Sequence, residues 1–267
     1  MKILNGQELA GFIKERHAKQ VRTLSANKII PKLAIVQVKD DPVINTYVRL
    51  KKQYGADIGI EVEVHSPSQP EVPGLLQKLN DDKNVNGIII QLPLTDTSQT
   101  EEIVNLVAPE KDVDALGEKS KFEPATPMAI MWLLSGYNID LNGKKILLLG
   151  RGKLVGAPLE KILKSSGHDV EVADRGVKNL GDYTKTADVI ITATGSPAVL
   201  YPDMIKQGAV VVDAGVASEE GKTVGDLSPE VYERDDLTLT PQKGGVGPLT
   251  VCALFENVIR AAHNAKD

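Results

Sequence analysis

The sequence predicts an α/β protein of two domains, each built on a mostly parallel sheet. In the first half, apolar strand-like runs alternate with helix-like stretches, and the same alternation resumes after residue 143. Between the two halves lies a polar, charge-rich stretch at 117–127. Alternation of this kind is typical of βαβ units, and the polar interruption indicates a domain boundary. With 267 residues, 42% of them hydrophobic, the chain is long enough to bury a substantial core.

In the first half, short apolar runs predict strands and longer amphipathic stretches predict helices. Strands are expected at 31–38, 60–66 and 85–93, and helices at about 6–25, 43–57, 72–82 and 98–107. The opening helix carries Leu9, Phe12, Ile13 and Val21 at spacings that cover one face. We expect that face to pack on the first sheet.

In the second half, β-branched runs predict a second parallel sheet. An apolar helix-like segment at 128–137 precedes strands expected at 144–150, 169–173, 187–193 and 209–215. The chain closes with an amphipathic helix at 248–265. Because this helix follows a whole second domain, it can cap either one.

The bulk properties favour a cytoplasmic protein that binds neither nucleic acid nor a membrane. The formal charge of −5 does not attract polyanions, and no apolar run approaches the roughly 18 residues of a membrane span. Cys252 is the only cysteine, which excludes an intramolecular disulfide and suits a reducing compartment. The histidines, His17, His65, His168 and His263, show no ligand-like spacing, so we expect no metal.

The stretch "KKILLLGRGKLVGAP" predicts a dinucleotide-binding turn. It places Gly150, Gly152 and Gly156 where a buried strand gives way to a helix, a context in which backbone amides hold a pyrophosphate. Asp174 ends the next predicted strand, where a carboxylate typically meets the adenosine ribose. The alternative is that the glycines serve only the sterics of a tight turn. Taken together, these residues favour a Rossmann-type domain.

A second group of polar residues marks a candidate site in the first half. Tyr47 and Lys51 are four residues apart on a predicted helix, so they share a face and can flank one ligand. Gln91 follows three isoleucines at the end of a strand, where ligands of open α/β sheets gather. The alternatives are a solvated helix face for the first pair, an ordinary strand end for Gln91, and a turn or cap role for Asp114.

These residues stand within a series of motifs that runs from about residue 34 to the C terminus. In chain order they include "DPVINTYVRLKK", "GIIIQLPL", "PEKDVDAL", "PATP", "GRGKLVGAP", "GAVVVDAG", "VGDL" and "GGVGPLT". In these motifs the chain resembles the bifunctional methylenetetrahydrofolate dehydrogenase/cyclohydrolases of one-carbon metabolism. The resemblance implies NAD(P)-dependent oxidation of 5,10-methylenetetrahydrofolate, hydrolysis of the methenyl product to 10-formyltetrahydrofolate, and a homodimer.

The resemblance also implies a division of labour along the chain. Residues 1–122, with the last helix at 248–267, would form a folate-binding catalytic domain, and 123–247 would form the Rossmann NAD(P)-binding domain. Lys51 would be the central catalytic residue, Gln91 would hold it, Tyr47 would lie over the pterin-side rings, and Asp114 would hydrogen-bond the pterin edge. Substrate contacts are expected from Tyr47, Gln91, Leu92, Asp114, Gly247 and Pro248, and coenzyme contacts from Gly150, Arg151, Gly152, Val155, Gly156, Asp174 and Arg175.

Several positions depart from the family pattern. Ile44 stands where serine is usual, Gly152 replaces a serine, and Lys243 replaces a proline. The loop 116–124 is roughly ten residues shorter than is typical. Such a change in loop length has only a small effect on the entropy of loop closure. Two alternatives therefore stay open beside the bifunctional enzyme. One is a monofunctional dehydrogenase with a decayed cyclohydrolase, and the other is a catalytically silent folate- or nucleotide-binding paralogue.

The coenzyme is expected to be NADP, with some use of NAD. Arg151 and Arg175 are placed to meet a 2′-phosphate, one on the glycine turn and one just past the second strand of that domain. Asp174 opposes them, because a carboxylate accepts hydrogen bonds from a ribose diol and repels a phosphate.

Overall fold

The structure is a computed structural model, and it describes residues 1–174, 176–219 and 222–265. The chain divides into two compact units. The first unit comprises Gly11–Ala125 and the chain from Val251 onward, and the second comprises Met1–Ala10 and Thr126–Thr250. Each unit is described separately below.

The α-helices of the described chain are α1 Gly6–Ala26, α2 Pro42–Ile58, α3 Val72–Asp81, α4 Thr100–Val104, α5 Ala125–Gly136, α6 Gly156–Ser165, α7 Leu180–Thr184 and α8 Val246–Asn264. The strands are β1 Lys2–Ile3, β2 Lys32–Val36, β3 Glu61–His65, β4 Gly87–Ile90, β5 Ile146–Leu149, β6 Val170–Ala173, β7 Val189–Thr192, β8 Val210–Asp213, β9 Ala217–Glu219, β10 Lys222–Val224 and β11 Thr238–Leu239.

The sheet of the first unit has β2 between β3 and β4, with parallel pairing throughout. All four residues of β4 are buried, as expected of a strand covered on both faces. Its apolar core combines β2 and β4 with α3 and α4, and Leu76 and Ile88 are among its fully buried members. A parallel bridge between Ile88 and Asp112 extends the pairing beyond β4.

The sheet of the second unit has the strand order β1-β11-β8-β7-β5-β6, again with parallel pairing. After β5, the next strand along the chain, β6, lies on one side of β5, and the strand after that, β7, lies on the other side. Strand order therefore reverses between β5 and β7, which makes their carboxyl ends the switch point of the sheet. β9 and β10 form a separate antiparallel hairpin.

The N terminus corrects one prediction. Residues 1–10 are predicted to belong to the first domain, but they group with the second unit, and Lys2 and Ile3 pair with Thr238 and Leu239 of β11. Both of these strands have two residues, too few to show a period of two along the sequence. The unit limits at 125–126 and 250–251 lie three residues beyond the predicted limits at 122–123 and 247–248.

No helix in 1–174, 176–219 or 222–265 combines the length and apolarity needed to cross a bilayer. Over the same described ranges, no cluster of three or more histidine, cysteine or acidic side chains is arranged to hold a metal ion.

Candidate active site

Helix α2 presents the Tyr47–Lys51 pair and is fixed at both ends. Asp41 caps its N terminus, with Oδ1 accepting hydrogen bonds from the backbone N–H groups of Val43 at 2.9 Å and Ile44 at 3.3 Å. Gly59 ends it with φ of 85°, the left-handed conformation that glycine adopts without strain. Tyr47 and Lys51, both half-buried, lie one turn apart on one face of the helix.

Lys51 reaches the switch point of the first unit's sheet. Its Nζ donates a hydrogen bond to Gln91 Oε1 at 2.8 Å. Gln91 follows β4, and its backbone N–H donates to Val36 O at 2.8 Å on the neighbouring strand β2. Gln91 Nε2 donates to Leu92 O at 3.3 Å, which leaves Oε1 as the end of the amide that faces the lysine. The expected pairing of Lys51 with Gln91 is therefore present in the geometry.

Asp114 lies near Lys51, close enough for the charge of each to act on the other. The isolated parallel bridge between Ile88 and Asp112 brings this part of the chain alongside β4, and Asp114 follows the bridge in a turn. Burial lowers the pKa of Lys51, and the negative charge of Asp114 offsets part of that shift. Burial raises the pKa of Asp114, and the charge of Lys51 opposes it. Both neutral forms are thus favoured by the surrounding protein, although each side chain keeps some contact with solvent.

The short loop after Asp114 is organised by another acid, Asp112. Its carboxylate accepts hydrogen bonds from the backbone N–H of Gly117 at 2.9 Å and of Leu116 at 3.4 Å, and its carbonyl accepts one from Ser120 Oγ at 2.8 Å. Asp112 is 4% exposed, and burial raises its pKa to about 6. The loop thus folds around a buried carboxyl group in spite of its reduced length.

Helix α8 supports the same segment from the C-terminal part of the chain. The side chain of Asn257 is fully buried, and its Nδ2 donates to Val113 O and to Glu123 O, both at 2.9 Å. One amide therefore ties together the two ends of the loop that begins at Asp114. The implied return of the last helix to the first domain holds for the part of α8 from Val251 onward.

The remaining predicted substrate residues fall in different places. Leu92 is partly buried against the apolar core of the first unit. Gly247 and Pro248 lie in the first turn of α8, in the part of the chain that groups with the second unit. Ile44, the departure from the usual serine, is 5% exposed and belongs to the core side of α2.

The glycine turn of the second unit has the sterics that a dinucleotide site requires. Gly150 has φ of 94°, and a Cβ on it would lie 2.6 Å from Ala193 O. A Cβ on Gly156, the first residue of α6, would lie 2.1 Å from Gly150 O. These glycines therefore allow the close approach of strand and helix at the carboxyl end of β5. By contrast, a Cβ on Gly152 would meet nothing within 4 Å, and Val155 precedes the helix as its N-cap residue.

The structure describes two of the three residues that are predicted to lie near the adenosine ribose and its 2′-phosphate. Arg151 extends from the turn, and its Nε donates to Glu160 Oε2 of α6 at 2.7 Å, while Lys164 Nζ donates to the other oxygen at 2.7 Å. Asp174 follows β6 and accepts the backbone N–H of Gly176 at 2.9 Å. Arg175 lies outside the described residues.

Sequence reasoning missed three residues that shape these sites. Asp112 belongs to the "PEKDVDAL" motif, where only its neighbour Asp114 received a role. Asn257 is a polar residue on the otherwise apolar face of the last helix, which is a signal for a buried hydrogen bond. Glu160 lies nine residues after Arg151, and the two meet only because α6 carries Glu160 close to the glycine turn.

Comparisons with known proteins agree with this geometry. Residues 4–114 match the model of the tetrahydrofolate dehydrogenase/cyclohydrolase catalytic domain, and residues 124–266 match that of the NAD(P)-binding domain of the same family. The bifunctional protein FolD of Lactobacillus helveticus is 36% identical over 279 residues, covering 100% of this chain and 99% of that protein.

Solved structures extend the comparison to the fold. The crystal structure of the bifunctional FolD dehydrogenase/cyclohydrolase from Campylobacter jejuni has a TM-score of 0.93 and 36% identity, covering 99% of each chain. The Trypanosoma brucei dehydrogenase-cyclohydrolase, solved with NADP cofactor and inhibitor, has a TM-score of 0.92 and 26% identity, covering 99% of this chain and 98% of that one. With both domain models matched along nearly its whole length, the chain belongs to the tetrahydrofolate dehydrogenase/cyclohydrolase family.

Proposed function

We propose that this chain catalyses both reactions of its family. It oxidises 5,10-methylenetetrahydrofolate to the 5,10-methenyl cation with NADP⁺, and it hydrolyses that cation to 10-formyltetrahydrofolate. The observation that carries the proposal is the Lys51 Nζ–Gln91 Oε1 hydrogen bond of 2.8 Å, held at a sheet switch point beside Asp114. The first unit is then the folate-binding catalytic domain, and the second is the coenzyme-binding domain.

The second unit fits a nicotinamide dinucleotide. A Cβ at Gly150 would clash with the backbone of Ala193, and a Cβ at Gly156 with the backbone of Gly150, so the two glycines permit the tight turn whose backbone amides would hold a pyrophosphate at the switch point. Gly150, Gly152, Val155 and Gly156 would hold the pyrophosphate, and Arg151, Asp174 and Arg175 would meet the adenosine ribose or its phosphate. When bound, the coenzyme supplies the hydride acceptor.

The oxidative step asks the protein mainly for positioning. A hydride leaves the methylene carbon with its electron pair, and the lone pairs of the two flanking nitrogens stabilise the cation that forms. No protein base is needed for that change. Tyr47, Gln91, Leu92 and Asp114 would bind and orient the folate, and correct orientation removes much of the barrier to such a transfer.

The hydrolytic step asks for proton transfer, and Lys51 is suited to it. Water adds to the methenyl carbon, one proton must leave, and opening of the ring yields the formyl group. Because burial lowers the pKa of Lys51, a larger fraction of the amine is neutral and able to accept that proton. The cationic substrate would lower the pKa further. Gln91 keeps the amine in place through its Oε1.

Asp114 would bind the polar edge of the pterin. Its raised pKa allows the carboxyl group to carry a proton, so the group can act as donor as well as acceptor. Gly247 and Pro248 would contribute contacts at the start of α8. The intact Lys51–Gln91 pair favours the bifunctional enzyme over a monofunctional dehydrogenase or a silent paralogue.

A spectrophotometric assay of the purified protein tests the proposal. Methylenetetrahydrofolate is mixed with NADP⁺ or NAD⁺, and the reduced coenzyme and the methenyl intermediate are followed together. We expect NADP⁺-dependent methenyl formation, and separately supplied methenyltetrahydrofolate should hydrolyse faster than in buffer alone. Absence of both reactions would make the chain a silent paralogue, and absence of the second alone would make it a monofunctional dehydrogenase.

We also propose that the protein works in the cytoplasm as a homodimer and supplies one-carbon units for purine biosynthesis. The resemblance to bifunctional family members supports the dimer, and a single cysteine, the buried Cys252, is compatible with a reducing compartment. Light scattering coupled to size-exclusion chromatography tests the assembly. A mass near 28.7 kDa, that of one chain, would contradict a dimer.

A further inference from the structure

Two acids of the second unit, the half-buried Asp213 and the buried Asp226, have no part in the sites assigned above. Asp213 ends β8 within the motif "GAVVVDAG", and Asp226 follows β10 within the motif "VGDL". Asp226 is fully buried. A buried carboxylate is costly unless donors surround it, so the partners of these two groups indicate what they hold.

Asp226 holds the loop that follows β7. Its Oδ2 accepts the backbone N–H of Thr194 at 2.7 Å, and its Oδ1 accepts that of Ser196 at 3.1 Å. Between these two residues, Gly195 has φ of 63°. A loop with a left-handed residue at its centre has no regular backbone partners of its own, so the carboxylate replaces them.

This loop borders the glycine turn. Ala193 N donates to Leu149 O at 2.8 Å across the β5–β7 pair, and Ala193 O is the atom that a Cβ on Gly150 would approach to 2.6 Å. The loop 193–197 and the turn at Gly150 therefore follow the two strands at which the sheet order reverses. Ligands of such sheets bind outside the carboxyl ends of these strands.

Asp213 in turn fixes Asp226. Its carboxylate accepts the backbone N–H of Asp226 at 3.0 and 3.2 Å, of Leu227 at 3.3 Å and of Gly215 at 2.9 Å, together with the hydroxyl of Thr192 at 3.0 Å. These donors come from the end of β7, the end of β8 and the chain after β10, and so they join three segments around one carboxyl group.

Two glycines allow the acids to approach this closely. A Cβ on Gly215 would lie 1.9 Å from Asp226 Oδ1, and a Cβ on Gly225 would lie 2.0 Å from Asp213 Oδ2. Any other residue at either place would displace a carboxylate from its donors. The pair of acids and the pair of glycines thus form one closely packed support for the loop 193–197.

We propose that Asp226 is a positioning residue for the coenzyme: it holds the loop 193–197 in the conformation that binds the nicotinamide dinucleotide, with Asp213 fixing its orientation. The inference rests on the proposed function, because it assigns the switch point of the second unit to that coenzyme. It goes further by predicting that a residue without coenzyme contact sets coenzyme affinity.

The test compares Asp226→Asn with Asp188→Asn. Asp188 precedes β7, at the end of the strand opposite to the loop. It accepts a hydrogen bond from the backbone N–H of Lys145 at 3.0 Å and forms an ion pair with Lys206. Asp188→Asn therefore makes the same chemical change at a residue that does not contact the loop. NADP⁺ affinity is measured by calorimetry without folate, KM is measured for both substrates, and folding is followed by the fluorescence of Trp132, the only tryptophan.

In Asp226→Asn an amide group faces the backbone N–H groups whose hydrogen bonds the carboxylate accepted. We expect the NADP⁺ dissociation constant and KM to rise about 10- to 100-fold, the range for losing hydrogen bonds to a charged group, with the folate KM changed less than about twofold. Asp188→Asn should leave both values near wild type. Unchanged NADP⁺ affinity in folded Asp226→Asn, or an equal rise in both KM values, would overturn the inference.

A second variant covers the case in which Asp226→Asn does not fold. Gly195→Ala strains the loop at its left-handed residue while leaving both acids in place, and a Cβ there would meet only Val216 O, at 3.5 Å. It should weaken NADP⁺ binding, and normal affinity would overturn the inference. Wild-type protein that binds NADP⁺ without turnover would overturn the proposed function alone, whereas wild-type protein that binds no dinucleotide would overturn both.

Discussion

At the scale of single residues, two opposing effects set the pKa values in the candidate folate site: desolvation by burial and the attraction between opposite charges. The charged forms of Lys51 and Asp114 attract and so favour each other, but burial favours the neutral form of both and is the larger effect. The lysine is thereby prepared to accept a proton, and the aspartic acid is prepared to hold one. Gln91, an uncharged partner, fixes the lysine without restoring its ordinary pKa.

Replacing Lys51 with methionine should separate the two activities. If Lys51 is the proton acceptor, as proposed, hydrolysis should slow by about 10²–10⁴-fold, while the hydride step, which depends on positioning, should slow far less. The wild-type cyclohydrolase rate should also rise with pH at values below the ordinary lysine pKa of 10.5, and the variant should lack that rise. Lys52→Met, at the exposed neighbouring position, is the control. Equal, small losses in both reactions would remove Lys51 from the mechanism.

Replacing Asp114 with alanine should weaken folate binding. The pterin donors and acceptors that Asp114 would meet are left without a partner, which typically costs about 1–3 kcal/mol. Calorimetry with a folate analogue measures the loss, and circular dichroism verifies that the variant folds. Glu118→Ala, an exposed acid of the same loop, should bind normally. Normal affinity in folded Asp114→Ala would place that carboxyl group outside the site.

Replacing Asp174 with serine should move coenzyme preference further toward NADP. Asp174 is exposed and would repel a 2′-phosphate through solvent by about 1 kcal/mol at 4 Å, so the ratio of kcat/KM for NADP to that for NAD should rise roughly fivefold in the variant. Serine also accepts hydrogen bonds from nearby backbone N–H groups and can keep the turn to Gly176. A wild type strongly selective for NAD would show that Asp174 dominates over the arginines.

At the scale of elements, both sites lie where parallel strands end and the strand order reverses. Lys51 is delivered to one switch point by α2, whose start and end are fixed by Asp41 and Gly59. The loop beside it is held by α8, an element more than 120 residues later in the chain. Positioning of the site thus depends on a helix that carries none of the catalytic residues proposed for the first unit.

Replacing Asn257 with alanine tests that dependence. The change removes both hydrogen bonds to Val113 O and Glu123 O inside the core, and buried carbonyls without partners cost about 1–3 kcal/mol of stability. Urea unfolding followed by circular dichroism measures the loss, and folate affinity should fall as the segment leading to Asp114 loosens. Asn264→Ala, at an exposed position on the same helix, is the control and should change neither. Full stability in Asn257→Ala would show that α8 does not support the loop.

At the scale of the whole molecule, acids whose pKa values are raised by desolvation give the free energy of unfolding a dependence on pH. Asp112, Asp114 and Asp213 all have pKa values raised by burial. For each of them the folded protein binds a proton more tightly than the unfolded chain does. Their contribution to stability is therefore present at low pH and is lost as pH rises through the folded pKa.

Asp112→Asn should isolate one of these contributions. With the pKa raised from 3.8 to about 6, the wild type should lose about 2–3 kcal/mol relative to the variant between pH 4 and pH 7. Urea unfolding of both proteins at several pH values measures the difference. A constant difference between them across that range would show that Asp112 titrates with its ordinary pKa.

Local pattern was sufficient for most of the fold. Runs such as 31–38 and 144–150 are apolar enough to be read as buried strands, and they became β2 and β5. The glycine turn was readable because the spacing of Gly150 and Gly156 is itself a steric requirement. The two-residue strands β1 and β11 were not, because a period of two cannot appear in so few residues.

The sequence by itself determined the fold class, the family, and the residue types able to do the chemistry. Only the tertiary structure decided which of these residues meet. Lys51 and Gln91 are 40 positions apart, and Asp226 lies 32 positions from the amide of Thr194 that it holds. Desolvation, which shifts the pKa values of Lys51 and Asp114, depends on everything packed around a group. Because desolvation sums the effects of segments that are far apart in the sequence, no local sequence pattern reveals it, and it is seen only in the folded chain.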